Sequence, residues 1–175
     1  MPQTGTRRTV IELAGPDDVP GIVAVRVNAA EDLTKRFGGG HWSGHATDRG
    51  VALDLKQAKV LVARSGSTVV GTLKLQTKKP WAIDISYFEK ARRPWYLTNM
   101  AVDPRYQRNG IGMQCVLEAV RLVEAWGGDA VRLDAYDADA GAGGFYLKCG
   151  FTEMGRATFR TEPLIYFERR ILTGA

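Results

Sequence analysis

Cysteine and histidine are scarce in this sequence, and their scarcity argues against several classes of protein. Of the 175 residues, only Cys115 and Cys149 are cysteines, and no zinc-type spacing joins them. We therefore expect no disulfide framework and two buried, unreactive thiols. The two histidines are His41 and His45, but the glycine-rich segment around them disfavours a helical ligand pair, so we predict no metal site.

Long apolar runs are also missing. No segment approaches the ~20 apolar residues that a membrane span needs, and the N-terminus lacks the apolar core of a secretion signal. These absences predict a cytoplasmic protein with no membrane partner. Internal repeats and linker-like tracts are missing as well, so the sequence predicts a single domain over 1–175, with residues 1–8 as a flexible N-terminus.

The charge of the chain is basic but not clustered. A net charge of +5 favours polyanions only where lysine and arginine gather on one surface. The basic pairs Lys78-Lys79, Arg92-Arg93 and Arg169-Arg170 are short and far apart. Their scatter argues against a nucleic-acid partner, whereas a cofactor with several phosphates needs only a local positive patch.

The patterns that are present alternate between strand and helix. Period-two alternation predicts strands, and apolar residues three and four apart predict helices. The predicted strands are 9–13, 59–64, 68–76, 95–102, 131–135, 151–159 and 164–170. The predicted helices are 16–35, 46–55, 110–126 and 141–149, with a glycine-rich loop at 37–44. This order predicts a mixed α/β sheet.

The most informative segment lies between the fourth predicted strand and the third predicted helix, where Val102-Asp103-Pro104 precedes Gln107-x-x-Gly110-x-Gly112. The first N–H groups of a helix lack partners and its dipole is positive there, so such a site attracts phosphate, and glycines let the anion approach. A P-loop needs Lys and Ser or Thr where Met113-Gln114 stands, and a Rossmann loop needs a third glycine where Cys115 stands. Neither of these phosphate loops fits.

A second motif lies downstream, at Leu133-x-Ala135, Asp139, Ala142 and Phe145-Tyr146-x-x-x-Gly150-Phe151. Together with Gln-x-x-Gly-x-Gly after Val-x-Pro, it resembles the Gcn5-related N-acetyltransferases (GNAT) from about Thr9 to Arg170. Asp139 departs from the family pattern, which usually has Asn there. The resemblance implies an acyl-CoA N-acyltransferase-like fold, a single-domain mixed and mostly antiparallel sheet of about seven strands with splayed central strands, flanked by about four helices.

The resemblance also implies acetyl-coenzyme A (acetyl-CoA) as the cofactor. In the family, N–H groups of the glycine loop bind the pyrophosphate, and the strand before the loop hydrogen-bonds the pantetheine. The cofactor-binding residues carried over in this way are Met100, Ala101, Val102, Gln107, Arg108, Asn109, Gly110, Ile111, Gly112, Asp139 and Tyr146.

The implied reaction is the direct transfer of an acetyl group, in a ternary complex, to a primary amine of a small molecule or peptide. Such a transfer is helped by a base for the amine, donors for the oxyanion and an acid for the departing thiolate. The position of the family's usual acid is occupied by Tyr146. The resemblance therefore implies that the Tyr146 phenol protonates or hydrogen-bonds the thiolate.

The base is harder to assign. Many relatives have a glutamate near the end of the cofactor strand, where this chain has Thr98 and Asn99. Neither side chain accepts a proton usefully at neutral pH. We predict Asp84 as the base, and the alternatives left open are Glu89, Asp134 and Asp137, directly or through water. The missing strand glutamate also leaves open a non-catalytic acyl-CoA-binding sensor or regulatory module.

The acceptor pocket is predicted from aromatic and acidic residues. We expect Trp42 and Tyr87 to line it, together with Asp134 and Asp137, which would hold a cationic amine. The alternatives are that the carboxylates cap the following short helix and that the aromatic residues belong to the core. A homodimer is left open.

Overall fold

The structure, a computed structural model, describes residues 8–172 and, for His41, the backbone alone. The strands within these residues are β1 (Thr9–Leu13), β2 (Lys59–Ser65), β3 (Thr68–Gln76), β4 (Pro94–Val102), β5 (Ala130–Tyr136), β6 (Thr152–Phe159) and β7 (Glu162–Arg170). The α-helices are α1 (Val19–Phe37), α2 (Asp48–Gln57), α3 (Ile111–Ala125) and α4 (Gly143–Lys148). The flexible N-terminus predicted for residues 1–8 lies, apart from Arg8, outside the described residues.

The seven strands form one sheet in the order β1-β2-β3-β4-β5-β7-β6. Every neighbouring pair is antiparallel except β4 and β5, which run parallel. The parallel pair is connected through α3, as parallel strands require a crossover. The predicted mixed, mostly antiparallel sheet is therefore confirmed.

Helix boundaries differ from the predicted ones where capping decides them. α2 begins at Asp48 rather than at residue 46, because the Thr47 hydroxyl accepts a hydrogen bond from the Gly50 N–H at 3.1 Å. α1 continues past residue 35 to Phe37 and stops where Gly38 adopts a φ of +81°. Both differences leave the order of the elements as predicted.

The sheet is covered on both faces. One face packs against α3 and α4 through the largest hydrophobic cluster, whose buried members include Leu61, Leu73, Leu97, Val116, Leu133 and Phe167. The opposite face packs against α1 and α2 around Ile22, Val51, Val60 and Val62. On that same face, the segment 77–93 between β3 and β4 covers the other half of the sheet, around Ile83, Tyr96, Leu164 and Tyr166. Within residues 8–172, every helix falls short of the length and apolar character that crossing a membrane requires.

The central strands β4 and β5 pair only briefly and then diverge. Their pairing ends where Tyr96 lies opposite Arg132. Beyond that point β4 stays paired with β3, and β5 stays paired with β7. We call the resulting opening, between residues 97–102 and 133–136, the fork. Asn99 has a φ of +53° at a shift in register with β3, which marks a β-bulge beside the opening. The predicted splay of the central strands is confirmed.

A buried ion pair stands at the closed end of the fork. Arg132 Nε donates to Glu168 Oε2 at 2.7 Å, and both side chains are at most 5% exposed. Arg132 also donates to the Glu89 carbonyl at 2.5 Å and lies 4.8 Å from the centre of the Phe88 ring. Because Glu89 and Phe88 belong to the segment 77–93, one arginine ties this segment to the strand that borders the fork.

Candidate functional site

Asp103 anchors the start of the loop between β4 and α3. Its carboxylate accepts hydrogen bonds from the backbone N–H and from Nε of Arg105, both at 3.0 Å, and from Asn28 Nδ2 of α1 at 3.1 Å. The Arg105 guanidinium is the main cause that lowers the pKa of Asp103 from 3.8 to about 2. The buried carboxylate is therefore ionised at neutral pH, and it holds the loop against α1.

The glycine loop itself turns through two left-handed residues. Arg108 has a φ of +64° and Gly110 a φ of +76°, so Gly110 occupies a conformation that favours glycine. A Cβ at Gly110 would meet no atom within 4 Å, which leaves open space beside the backbone at this position. The Gln107 side chain donates to the Val102 carbonyl at 3.0 Å and so closes the loop onto the end of β4. α3 then begins at Ile111, with its first N–H groups lacking acceptors inside the helix.

Gly112 is required for close packing as well as for access. A Cβ at this position would lie 3.2 Å from Phe145 Cζ and 3.5 Å from Met100 Cε. The sequence suggested that a side chain here would obstruct an anion, but the atoms it would meet first belong to α4 and β4. Gly112 thus lets the start of α3 pack closely against both α4 and β4.

The residues carried over for pantetheine lie on the open side of β4. Ala101 and Val102 are paired with Thr72 and Gly71 of β3. On the side of β5, pairing has already ended at Tyr96, so among the described strands none is paired with that edge. A polyamide chain can therefore hydrogen-bond along residues 100–102 as an added strand would. Asp139 is exposed in the turn between β5 and α4.

Tyr146 is buried in an aromatic cluster at the side of the fork. Its ring lies 5.1 Å from Phe145, 5.8 Å from Phe151 and 6.0 Å from Phe167, centre to centre, and the residue is 6% exposed. Burial, followed by the charges of Cys149 and Asp134, raises the pKa of Tyr146 well above its usual range. The phenol therefore keeps its proton at neutral pH and is available as a donor.

Asp134 lies at the apex of the fork. It is paired with Tyr166 of β7 and comes two residues after Arg132, the last β5 residue paired with β4. Thr98 comes the same distance after Tyr96 on β4, so the two side chains flank the opening. The charge of Asp134 raises the pKa of both Tyr146 and Tyr166, which places the carboxylate within electrostatic reach of both hydroxyls.

Asp84, the predicted base, lies on the exposed segment 77–93. Its Oδ1 accepts hydrogen bonds from the backbone N–H of Ser86 at 2.9 Å and from its hydroxyl at 2.7 Å, and these bonds lower the pKa of Asp84. Tyr166 holds the segment in place, because its hydroxyl accepts from the Asp84 N–H at 3.2 Å and donates to the Ala82 carbonyl at 2.5 Å. The Tyr166 side chain interacts with both residues, because its hydroxyl accepts from the Asp84 N–H and the charges of Asp134 and Asp84 add to burial in raising the pKa of Tyr166.

A pocket of about 500 Å³ opens beside Asp84. Its lining combines residues of the segment 77–93 with the end of β6 and with β7, among them Trp81, Asp84, Tyr87, Phe159 and Tyr166. Tyr87 meets Tyr166 edge to face at 5.2 Å, whereas Trp81 is 87% exposed at the rim. The predicted acceptor residue Tyr87 thus borders a cavity, and Tyr166, which is paired with Asp134 of β5, lines the same cavity.

The other predicted acceptor residues are dispersed. Trp42 lies in the 3-10 turn before α2 and meets Tyr136 of β5 edge to face at 5.4 Å. Asp137 is ion-paired with Arg156 at 3.1 Å. Asp137 and Asp139 do not share a strand with Asp134, because β5 ends at Tyr136 and these two carboxylates follow it.

The roles of three residues that hold the site together were not predicted from the sequence. Tyr166 lay in an ordinary closing strand and Asn28 in an ordinary helix, and neither position carried a signal. For Asp103 a signal existed, since Asp before Pro at the start of a turn is typical of a capping residue. The structure confirms that role, with Asp103 accepting from the Arg105 N–H.

Comparisons with known proteins place this geometry in a family. The model described as the acetyltransferase (GNAT) family matches residues 27–151. The ribosomal-protein-S18-alanine N-acetyltransferase of Escherichia coli is similar in structure at a TM-score of 0.71 and 17% identity, over 96% of this chain and 97% of that one. The PaiA N-acetyltransferase of Thermoplasma acidophilum, solved in complex with coenzyme A, gives a TM-score of 0.72 at 16% identity over 94% and 99%. Comparison with curated protein sequences gives no match.

The structural likeness, at these low identities, supports the fold, and the family model extends over most of the chain. The glycine loop at the start of α3 and the fork between β4 and β5 both lie within the matched residues. The chain belongs to the GNAT family of acetyltransferases and is an acyltransferase enzyme.

Proposed function

We propose that this protein transfers an acetyl group directly from acetyl-CoA to a primary amine of a small molecule or peptide, as a single-domain cytoplasmic enzyme. The observation that carries the proposal is the fork. One of its sides is an unpaired strand edge that leads to a glycine loop, Asp134 lies at its apex, and the buried phenol of Tyr146 lies at its side, within reach of the Asp134 charge. This arrangement supports a donor on one side and an acceptor on the other.

The residues of the loop fit the donor. The left-handed turn at Gly110 leaves open space beside the backbone, and α3 starts with free N–H groups that suit a pyrophosphate. Residues 100–102 offer backbone groups to the pantetheine. The full set of proposed cofactor contacts is Met100, Ala101, Val102, Gln107, Arg108, Asn109, Gly110, Ile111, Gly112, Asp139 and Tyr146. Acetyl-CoA bound there would supply an activated acyl carbon and a thiolate leaving group.

Two side chains would carry out the proton transfers of the reaction. Asp134 takes the proton that the amine loses as its nitrogen bonds to the acyl carbon. Tyr146 donates its phenolic proton to the sulfur as the carbon–sulfur bond breaks. We favour Asp134 over Asp84 as the base because acid and base must reach one reacting centre, and the charge of Asp134 acts directly on the Tyr146 phenol. Asp84 remains the alternative, on the far side of Tyr166.

The body of the acceptor would extend away from the fork. Trp42 and Tyr136 border one side of the apex, and the pocket of about 500 Å³ lies behind Tyr166, with Tyr87 and Trp81 at its rim. These surroundings are aromatic, and the pocket adds the charges of Lys79 and Asp84. They suit an amine that carries an apolar group, and Asp137, paired with Arg156, would act at the edge of this region.

The test is the release of coenzyme A thiol from acetyl-CoA with a panel of primary amines, for the wild type, Asp134→Asn and Asp84→Asn. We expect Asp134→Asn to lower kcat by about 10²- to 10⁴-fold, as for other general bases, and to leave calorimetric binding of coenzyme A unchanged. Asp17→Asn, at an exposed carboxylate near the start of α1, is the matched control. A large loss confined to Asp84→Asn would assign the base to Asp84. Failure of every amine to accelerate thiol release would favour a non-catalytic acyl-CoA sensor.

A further inference from the structure

One hydroxyl at the fork is buried without a partner. Among the described residues, Thr98 Oγ1 is buried and makes no hydrogen bond. A desolvated hydroxyl left in this way costs stability, so native structures rarely retain one without a reason. The neighbouring strand shows the ordinary situation, because the buried Thr72 hydroxyl donates to the Leu61 carbonyl at 2.9 Å.

The position of Thr98 is set by the strand register. Leu97 belongs to the cluster under α3, so alternation sends Thr98 to the face covered by α1, α2 and the segment 77–93. Its β3 partner, Lys74, is held at 2.9 Å by Asp54 of α2. Across the fork, Asp134 stands two residues after the last paired position, just as Thr98 does on β4. The opening therefore has a neutral hydroxyl on one side and a carboxylate on the other.

We propose that Thr98 is a specificity-determining residue whose hydroxyl accepts a hydrogen bond from the attacking nitrogen of the acceptor; the inference rests on the proposed function. The Thr98 residue is half-buried, and in the proposed complex a rotation about its Cα–Cβ bond to another staggered position turns Oγ1 from its buried site towards the opening. A neutral primary amine has two N–H groups and a lone pair. With the lone pair directed at the acyl carbon, one N–H meets Thr98 and the other meets Asp134.

This arrangement discriminates by the number of donors on the attacking atom. A secondary amine and an alcohol each have a single proton there, and when Asp134 takes that proton as the base, the Thr98 hydroxyl receives no hydrogen bond. A site built to hydrogen-bond two protons rejects an acceptor that lacks one of them. Thr98 therefore selects primary amines, which a carboxylate alone would not do.

The experiment compares Thr98→Val, Thr98→Ser and Thr72→Val with the wild type. Each protein is assayed with the best primary amine of an acceptor panel and with the N-methyl derivative of that amine. We expect Thr98→Val to lower kcat/KM about tenfold for the primary amine, in line with the loss of one hydrogen bond, and to leave the N-methyl derivative nearly unchanged. Thr98→Ser, which keeps the hydroxyl, should restore the preference for the primary amine.

Stability provides a second readout that needs no substrate. Because the Thr98 hydroxyl has no partner, Thr98→Val should not lower Tm, whereas Thr72→Val should lower it by about 2–4 °C through the loss of a satisfied buried bond. Coenzyme A affinity, measured by calorimetry, should be equal in all four proteins.

Three outcomes would overturn the inference: a clear loss of Tm in Thr98→Val, an equal loss of kcat/KM for both amines, or unchanged kcat/KM for the primary amine. A wild type that turns over no amine would instead contradict the proposed function. In that case the comparison of Tm still tests the unpaired hydroxyl on which the assignment depends.

Discussion

The two sides of the fork are built by different means. The proposed cofactor side consists of one continuous stretch, β4, the loop and the start of α3, and it offers mainly backbone groups held by Asp103 and Gln107. The proposed acceptor side is assembled from side chains of β5, β7, the 3-10 turn before α2 and the segment 77–93. Backbone recognition suits a ligand whose form is fixed, whereas side chains can be exchanged one at a time to suit different acceptors.

Tyr146 tests both sides of the fork at once, because its proposed proton goes to the cofactor sulfur and the charge of Asp134 reaches its phenol. Tyr146→Phe removes only the hydroxyl, and the packing against Phe145, Phe151 and Phe167 should persist. We expect kcat to fall by about 10²-fold, within the range for acid–base groups, because the leaving thiolate loses its donor. Steady-state kinetics should show this loss with coenzyme A affinity and Tm unchanged. Equal kcat in variant and wild type would remove Tyr146 from the mechanism.

Asp103→Asn tests the residue that anchors the glycine loop. It should lower the free energy of unfolding at pH 7 by about 2 kcal/mol at most, because the partner Arg105 is solvent-exposed and water weakens the ion pair. The folded pKa of Asp103 is depressed from 3.8 to about 2. Its stabilisation is therefore fully present above pH 3.8 and is lost as the pH falls towards 2. Urea unfolding at several pH values should show the two proteins converging on acidification.

The control for that series is Asp17→Asn, at an exposed carboxylate near the start of α1. It should leave the free energy of unfolding nearly unchanged at every pH. A constant gap between Asp103→Asn and the wild type down to pH 2 would mean that ionisation of Asp103 does not contribute to the stability of the loop.

The glycine loop is tested by Gly112→Ala. We expect coenzyme A to bind about tenfold more weakly, or ~1.4 kcal/mol, because the new Cβ would lie 3.2 Å from Phe145 and push α3 away from α4. Gly112→Val should add a loss of Tm to the loss of affinity. Gly144→Ala, where a Cβ meets nothing within 4 Å, is the matched control. Calorimetry that finds unchanged affinity in Gly112→Ala would contradict the phosphate-loop assignment.

The acceptor side is tested by Tyr166→Phe, for which we expect the smallest effect. The change removes the hydrogen bonds to Asp84 and Ala82 and loosens the segment 77–93. The acceptor KM should rise by about fivefold, as expected for the loss of a typical hydrogen bond, while coenzyme A affinity stays constant. A change in coenzyme A affinity instead would show that the two sides are not independent.

The same contrast explains what the sequence could predict. The cofactor loop is contiguous, so the spacing of Gln107, Gly110 and Gly112 shows its place between a strand and a helix, and the structure confirms that place. The order of strands and helices was predicted for the same reason, since periodicity is a local property. Boundaries shifted by a few residues where a cap such as Thr47 decided them.

The acceptor side could not be predicted to the same extent, because it depends on which strands become neighbours. Tyr166 and Asp134 are far apart in the sequence and meet only through the β5–β7 register. The position of Asp137 beyond the strand could not be predicted either, because the end of β5 is set by tertiary pairing. The role of Asp103 in binding Asn28 was likewise hidden, since that contact spans the loop and α1.

The fork also divides the sheet into two halves, β1 to β4 and β5 to β7, joined by a short seam that ends at Tyr96 and Arg132. Along residues 97–102 the backbone is hydrogen-bonded to one strand instead of two, so the amide protons there should exchange with solvent faster than those of β2 or β7. A bound pantetheine would close the seam as an extra strand. Coenzyme A at a hundredfold excess over its Kd should then slow exchange in β4 and add about 2.7 kcal/mol to the stability of the whole sheet.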